Sequence, residues 1–166
     1  MASALFDKEH IDEYVNQAVE LSLRNVAEGG VPFSALVVDP ERGVVGTGVN
    51  RVLADRDPLA HAEVVALRAA TGDPLGLRTT GRLLIASGEP CALCYVNALY
   101  SNVTDVISAV DRYEVARLGF NYLDSYRLFA APPEKWAGMT VRTWPVESSH
   151  DPFTAWRERQ LERNTR

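Results

Sequence analysis

One histidine and two cysteines are the residues of this sequence best suited to bind a metal ion. His61 precedes a short apolar run, and Cys91 and Cys94 form a Cys-x-x-Cys pair that directly follows a proline. Zinc prefers imidazole and thiolate ligands; a structural site carries four of them, whereas a catalytic site carries three and keeps one position for water. The sequence has no further cysteine, and its other histidines, His10 and His150, lie near the ends. We therefore expect a catalytic zinc site with His61, Cys91 and Cys94 as ligands.

Each part of this pattern has a simpler interpretation when it is taken alone. A histidine beside an apolar run is more often a core residue, and a Cys-x-x-Cys pair can be a redox pair, although that use comes with a thioredoxin-like pattern. The joint occurrence of His-x-Glu and Pro-Cys-x-x-Cys favours the catalytic zinc site. Most glutamates on a helix are solvated, but Glu63 lies two positions after His61. Glu63 is therefore the residue that we expect to carry protons.

The composition is that of an ordinary globular protein. The chain has 166 residues, of which 46% are hydrophobic and 23% charged, with a net charge of −5. This length predicts a single domain over residues 1–166. With neither an apolar run of membrane-spanning length nor a signal peptide, we expect a cytoplasmic protein without a membrane partner. Its acidic charge argues against a nucleic-acid partner, because phosphate binding needs a basic surface.

Hydrophobic periodicity and turn signals predict alternating helices and strands. Helices are expected at 10–28, 60–70, 91–100, 123–129 and 151–163, and a further helical segment follows residue 110 and ends at 118. Strands are expected at 33–39, 44–50, 82–87, 104–110 and 139–146. The segment 54–59 is expected to be a loop. This order predicts an α/β fold, a three-layer α/β/α sandwich around a mixed five-stranded sheet. Cys91 and Cys94 then lie at a helix N-terminus, where the helix dipole lowers thiol pKa values and favours metal binding.

The sequence resembles the bacterial guanine deaminases of the cytidine deaminase-like superfamily over nearly its whole length. Beside the zinc motif, which the superfamily shares, the likeness rests on these residues: Val26-Ala27-Glu28-Gly29-Gly30, Pro32-Phe33, Asn50, Asp57-Pro58, Glu89, Gly119-Phe120, Pro152-Phe153 and Trp156. The chain departs from the family pattern at Gly88 and at Ala92-Leu93. Guanine deaminases typically follow Gly-Phe with two aspartates, the second an active-site acid, whereas this chain has Asn121 and Tyr122, with Asp124 two residues further on.

The resemblance implies zinc-dependent hydrolytic deamination of an aminated nucleobase or related heterocycle, with release of ammonia. Glu63 would pass a proton from water to the ring and then to the leaving amine. Asn50 would hydrogen-bond the base, the backbone carbonyl of Glu89 would accept from the departing amine, and Phe33 would line the pocket or fill the core. Guanine, cytosine, a triazine and a nucleoside remain open as substrates. Two further functions compete with this one, a tRNA-editing deaminase and a zinc-binding module without catalysis.

The C-terminal helix expected at 151–163 opens with Phe153 and Trp156. In the guanine deaminases that this tail resembles, the C-terminal segment crosses to a partner and closes the partner's active site. We therefore predict a homodimer, which a swapped tail could form, with Phe153 or Trp156 as an aromatic wall for the substrate. A helix that packs on the surface of its own chain is the competing expectation.

Overall fold

The structure of the chain is a computed structural model that describes residues 7–71 and 81–164. The chain divides into two units, with the boundary after Ala130. The elements of the first unit are α1 (Lys8–Ala27), β1 (Ser34–Asp39), β2 (Gly43–Val49), α2 (Val52–Asp55), α3 (Ala62–Thr71), β3 (Arg82–Ala86), α4 (Ala92–Tyr100), β4 (Val103–Ser108), α5 (Arg112–Arg117) and α6 (Asp124–Phe129). The second unit contains a short 3-10 helix (Pro133–Lys135) and α7 (Asp151–Asn164).

The sheet of the first unit is mixed and has the strand order β2-β1-β3-β4. β1 runs antiparallel to both β2 and β3, whereas β3 and β4 are parallel and are joined through α4. Every residue of the two central strands, β1 and β3, is buried. Strands covered on both faces need apolar side chains on both, which explains why their sequences read as continuous apolar runs.

Helices cover both faces of the sheet, so the three-layer prediction is confirmed. Ala35 and Val37 of β1 pack with α3 and α4 in one core cluster. Leu36 and Val38, the alternate residues of the same strand, pack with Ala18 of α1 in the other. The two-residue period of a strand therefore divides β1 between two cores.

Two glycines allow β2 to lie directly on the backbone of α3. A Cβ atom at Gly46 would stand 2.4 Å from the carbonyl oxygen of Ala66, and one at Gly48 would stand 2.3 Å from the carbonyl oxygen of Ala62. No side chain fits into that space, so glycine is required at this close approach. The contact fixes the height of α3 above the sheet, and α3 begins next to His61.

The fifth strand, expected at 139–146, is wrong: the described sheet has four strands, and this segment forms none. Its apolar residues are Met139, Val141, Trp144 and Val146, all exposed. They change from odd to even positions along the segment, so an extended chain could not bury all of them on one face. Pro145 also lacks the N–H group that a strand ladder uses.

The segment expected to be a loop at 54–59 overlaps α2, a short helix that the sequence analysis missed. Arg51 donates to the Asp55 carboxylate from Nε at 2.8 Å and from Nη2 at 2.6 Å, one helical turn apart. The helix stop expected at Gly72 lies outside the described residues. Among the helices that the structure describes, none is long and apolar enough to span a membrane. The single domain over residues 1–166 stays a prediction.

Candidate active site

The predicted zinc ligands lie where the N-terminal ends of α3 and α4 meet on one face of the sheet. His61 directly precedes α3, Cys91 is the N-cap residue of α4, and Cys94 lies in its first turn. The chain reaches α3 through a fixed turn, in which the N–H of Arg51 donates to the carbonyl of Ala60 at 2.9 Å. Val64 of α3 packs against both cysteines. The sheet therefore brings together residues that are far apart in sequence.

The ligand atoms have the spacing of a tetrahedral zinc site. His61 Nδ1 lies 3.5 Å from Cys91 Sγ and 3.4 Å from Cys94 Sγ, and the two sulfur atoms are 3.6 Å apart. Zn–S and Zn–N bonds of ordinary length at tetrahedral angles place such atoms about 3.6–3.8 Å from one another. In the part of the chain that the structure describes, these residues are the group of potential ligands close enough to share one metal ion. The site fits zinc.

The cysteine thiols differ in acidity because they share a hydrogen bond. The hydrogen bond between the two sulfur atoms, which lie 3.6 Å apart, lowers the pKa of Cys91, and nearby His61 lowers it further against the opposing effect of burial. The same hydrogen bond, together with burial, raises the pKa of Cys94. The hydrogen bond to Cys91 also raises the pKa of His61. Without a metal, Cys94 therefore keeps its proton.

Glu63 is a buried carboxyl group beside the metal ligands. It lies in the first turn of α3 with only 5% of its surface exposed. Its Oε2 atom accepts from Cys94 Sγ at 3.3 Å. Burial raises the pKa of Glu63 because the charged form is poorly solvated. A carboxyl group in this setting can hold and release a proton inside the pocket.

A pocket of about 80 Å³ opens next to the ligands. It is lined by Phe33, Asn50, His61, Glu63, Glu89, Cys91 and Tyr122. The structure thus brings three residues of the predicted substrate site, Phe33, Asn50 and Glu89, together with the predicted metal and proton-carrying residues. An apolar ring and a few polar groups are the usual lining of a small-molecule site. Their individual roles stay predictions.

The backbone explains how Asn50 and Phe33 come to face one pocket. Asn50 follows β2, and its N–H donates to the carbonyl of Phe33, just before β1, at 2.9 Å. This bond extends the β1–β2 ladder by one pair. The Asn50 side chain accepts from the N–H of Val52 at 3.2 Å through Oδ1. The Asn50 side chain is thus held by one hydrogen bond from its own loop and still borders the pocket.

The side chain of Glu89 is engaged by α4 and α5. Its carboxylate accepts from the backbone N–H of Arg112 at 2.8 Å, from Arg112 Nη1 at 3.0 Å and from the Tyr95 hydroxyl at 3.2 Å. These contacts anchor the residue that precedes Pro90 and Cys91. The backbone carbonyl of Glu89 is the group predicted to accept a hydrogen bond from the departing amine.

Tyr122 is a pocket residue that the sequence analysis did not assign to the substrate site. Its hydroxyl donates to the carbonyl of Glu89, and its ring meets that of Phe33 edge-on at 6.3 Å. Burial raises its pKa, so it stays a neutral donor. The signal in the sequence was its position, where guanine deaminases typically have an acid. Asp124 does not fill that role, since its side chain is 89% exposed, 3.5 Å from Arg127, and outside the pocket lining.

Phe153 and Trp156 lie on α7 in the second unit. Their exposed fractions are 72% and 63%. Leu161 of the same helix is also exposed. The predicted role of these aromatic residues as a wall for the substrate stays a prediction.

A three-layer fold that places a histidine-glutamate pair and a cysteine pair at two adjoining helix ends defines a zinc-dependent deaminase. The chain belongs to the family described as the cytidine and deoxycytidylate deaminase zinc-binding region, whose model matches residues 8–110. The predictions of zinc and of hydrolytic deamination of a nucleobase or related ring are thereby confirmed.

Known relatives support the same assignment. The chain is 30% identical over 149 residues to guanine deaminase of Bacillus subtilis, covering 88% of this chain and 93% of the relative. The X-ray structure of that enzyme superposes with a TM-score of 0.79 at 28% identity, covering 89% of this chain and 93% of the other. The chain is also 29% identical over 130 residues to the tRNA-specific adenosine deaminase of Haemophilus influenzae, covering 77% of this chain and 75% of the relative.

Proposed function

We propose that the protein removes the amino group of a free nucleobase or related heterocycle, in a reaction like that of guanine deaminase, and that Glu63 moves the protons. The observation that carries this proposal is the position of Glu63, buried within the pocket and 3.3 Å from the ligand atom Cys94 Sγ. A site that served structure alone would have no use for a carboxyl group at that place. The zinc-binding module without catalysis is therefore disfavoured.

The reaction needs one proton carrier that acts twice. Zinc bound by His61, Cys91 and Cys94 would supply the Lewis acidity that makes water nucleophilic at neutral pH. Glu63 accepts a proton from the attacking water and donates it to the ring nitrogen next to the carbon that carries the amine. Once the C–O bond has formed, Glu63 passes the second proton of the water to the amine, and the C–N bond breaks with release of ammonia. The product carries a carbonyl group in place of the amine.

The remaining lining residues would orient the ring. Phe33 offers an aromatic surface, the Asn50 amide offers hydrogen bonds, and the carbonyl of Glu89 accepts an N–H of the departing amine. A free base is favoured over a nucleic acid because the net charge of −5 opposes phosphate binding. The similarity to a tRNA-specific adenosine deaminase makes tRNA the comparison substrate that this proposal must exclude.

The test of this function is the substitution Glu63→Gln. It removes the proton carrier without removing a zinc ligand, so turnover should fall at least about a hundredfold while zinc content and folding persist. Ammonia release should be followed over guanine, cytosine, aminated triazines, nucleosides and tRNA. Glu13→Gln, a matched change of an exposed glutamate on α1, should leave turnover unchanged. Near-normal turnover of Glu63→Gln would contradict the proposed role, and activity on tRNA alone would contradict the proposed substrate class.

We also propose a homodimer in which α7 of one chain closes the site of its partner. The exposed aromatic side chains of Phe153 and Trp156 on α7 support this, because exposed apolar side chains on one helix can mark an interaction surface. Exchange of an identical element is a common route to symmetric dimers. The cytoplasmic location stays a prediction.

A further inference from the structure

Tyrosines from one short segment donate to two consecutive backbone carbonyls next to a zinc ligand. The hydroxyl of Tyr122 donates to the carbonyl of Glu89, and that of Tyr126 donates to the carbonyl of Pro90. Ser125 Oγ accepts from the N–H of Ala92 at 3.2 Å. The residues on both sides of Cys91 are therefore held by α6 and the turn before it.

The two tyrosines differ in what their rings contact. Tyr122 lines the pocket and packs with the cluster formed by Val64 and the cysteines. The ring of Tyr126 instead lies 4.5 Å from the guanidinium of Arg112 and 6.4 Å from the ring of Tyr95, and it is not part of the pocket lining. Both tyrosines thus donate a hydrogen bond to a backbone carbonyl, but Tyr122 lines the pocket and Tyr126 does not.

Several hydrogen-bond acceptors of the pocket already accept hydrogen bonds from within the protein. A backbone carbonyl has two lone pairs, and Tyr122 occupies one of those on Glu89. Asn50 Oδ1 already accepts from Val52, and the Glu89 carboxylate is held by Arg112 and Tyr95. Among the described lining residues, Glu63 is the carboxylate not held by an arginine. A bound ring therefore finds one open lone pair rather than two at the Glu89 carbonyl.

We propose that Tyr122 determines the substrate by limiting the Glu89 carbonyl to one N–H of the ring's amine. The pocket then selects rings in which the amine-bearing carbon has an unprotonated nitrogen on one side and no N–H on the other. This is the pattern of 4-aminopyrimidines and 6-aminopurines. Guanine carries a ring N–H beside its amine, and a buried donor without an acceptor weakens binding by about tenfold or more. The inference rests on the proposed function and names its substrate class.

The unmodified enzyme provides the first test. The values of kcat/KM for ammonia release should be measured with cytosine, adenine, guanine and 2-aminopurine, which keeps the 2-amine of guanine but lacks the ring N–H beside it. We expect cytosine or adenine to exceed guanine by at least about tenfold, and 2-aminopurine to exceed guanine as well. The cytosine and adenine arms distinguish a one-ring from a two-ring substrate. Guanine as the best substrate would overturn the inference and leave deamination standing, whereas no ammonia from any ring would overturn the proposed function itself.

The variant Tyr122→Phe provides the second test, with Tyr126→Phe as its matched control. Tyr122→Phe frees a lone pair of the Glu89 carbonyl inside the pocket, so the guanine-to-cytosine ratio of kcat/KM should rise at least about tenfold. Tyr126→Phe removes the neighbouring hydrogen bond outside the pocket and should lower thermal stability or zinc retention without changing that ratio. An unchanged ratio in Tyr122→Phe, or an equal change in both variants, would overturn the inference. Dissociation constants measured in the Glu63→Gln background should show the same order of bases without turnover.

Discussion

Cys94 keeps its proton because its pKa is raised, and zinc has to displace that proton. The pKa of Cys94 is raised by its hydrogen bond to Cys91, and the pKa of His61 is raised by the same cysteine. A metal ligand has to be deprotonated, so metal binding releases the protons that these groups carry. Lower pH keeps both groups protonated and therefore opposes zinc.

We predict that zinc affinity rises with pH. Between about pH 6 and pH 8 it should increase about tenfold per pH unit for each proton displaced. The measurement is a competition titration with a chelator of known pH dependence. Cys94→Ala removes the ligand with the raised pKa, so it should bind zinc weakly and with a shallower slope. An affinity independent of pH would contradict the proton kept by Cys94, and full zinc retention by Cys94→Ala would contradict the ligand assignment.

The contact between β2 and α3 is the element-scale feature that supports the site. At Gly48, a Cβ atom would meet the backbone of α3 at Ala62 and Ala66 rather than a movable side chain. Any side chain there has to push α3 away from the sheet. His61 and Glu63 would then shift relative to the cysteines, which α4 holds.

The expected result for Gly48→Ala is therefore a combined loss of stability and of zinc affinity. Overpacking of this kind costs about 1–3 kcal/mol, measurable as a lower free energy of unfolding in denaturant. Chelator competition on the same preparation should show weaker zinc binding. Thr47→Ala changes the exposed neighbour on the same strand and should leave zinc affinity unaltered. If Gly48→Ala binds zinc as tightly as the unmodified protein, the helix contact does not position the site.

Three of the elements that the sequence predicted correctly, β1, β3 and α1, have a period that is determined by burial. β1 and β3 are buried on both faces, and α1 has one apolar face, so their patterns were unambiguous. The segment at 139–146 has β-branched residues but no consistent face, and it forms no strand. The β-strand propensity of these residues predicted a strand there, but propensity alone does not form one without a partner strand.

The site was predictable only where its chemistry is carried by a local motif. His61, Glu63, Cys91 and Cys94 stand in short patterns, so their types and spacing were enough. Tyr122 is different, because its part in the pocket depends on a hydrogen bond to Glu89, a residue distant in sequence. Such a contact is created by folding and leaves no spacing that could be read beforehand.

At the scale of the whole molecule, the C-terminal unit makes the oligomeric state testable. Truncation after Ser149 removes α7 and with it Phe153 and Trp156. If α7 closes the partner's site, the truncated protein should be monomeric and should lose most of its turnover. Sedimentation and ammonia release should be measured on one sample, with zinc content as the control for correct folding. A truncated protein that stays dimeric and fully active would exclude the swapped tail.

The strand order of the sheet has a consequence for how the enzyme folds. β1 and β2 form a hairpin of neighbouring segments, and β3, α4 and β4 form a second contiguous group. Within the described sheet, the pairing of β1 with β3 joins the two groups. His61 precedes α3, which packs on β2 of the first group, whereas the cysteines belong to the second, so the complete ligand set exists only after this distant pairing has formed. Strands that are far apart in sequence pair late, because the entropy cost of closing the loop between them has to be met before their contacts add stability. Zinc uptake thus reports that these two groups have joined, and a nascent chain ending before β3 has no complete site to load.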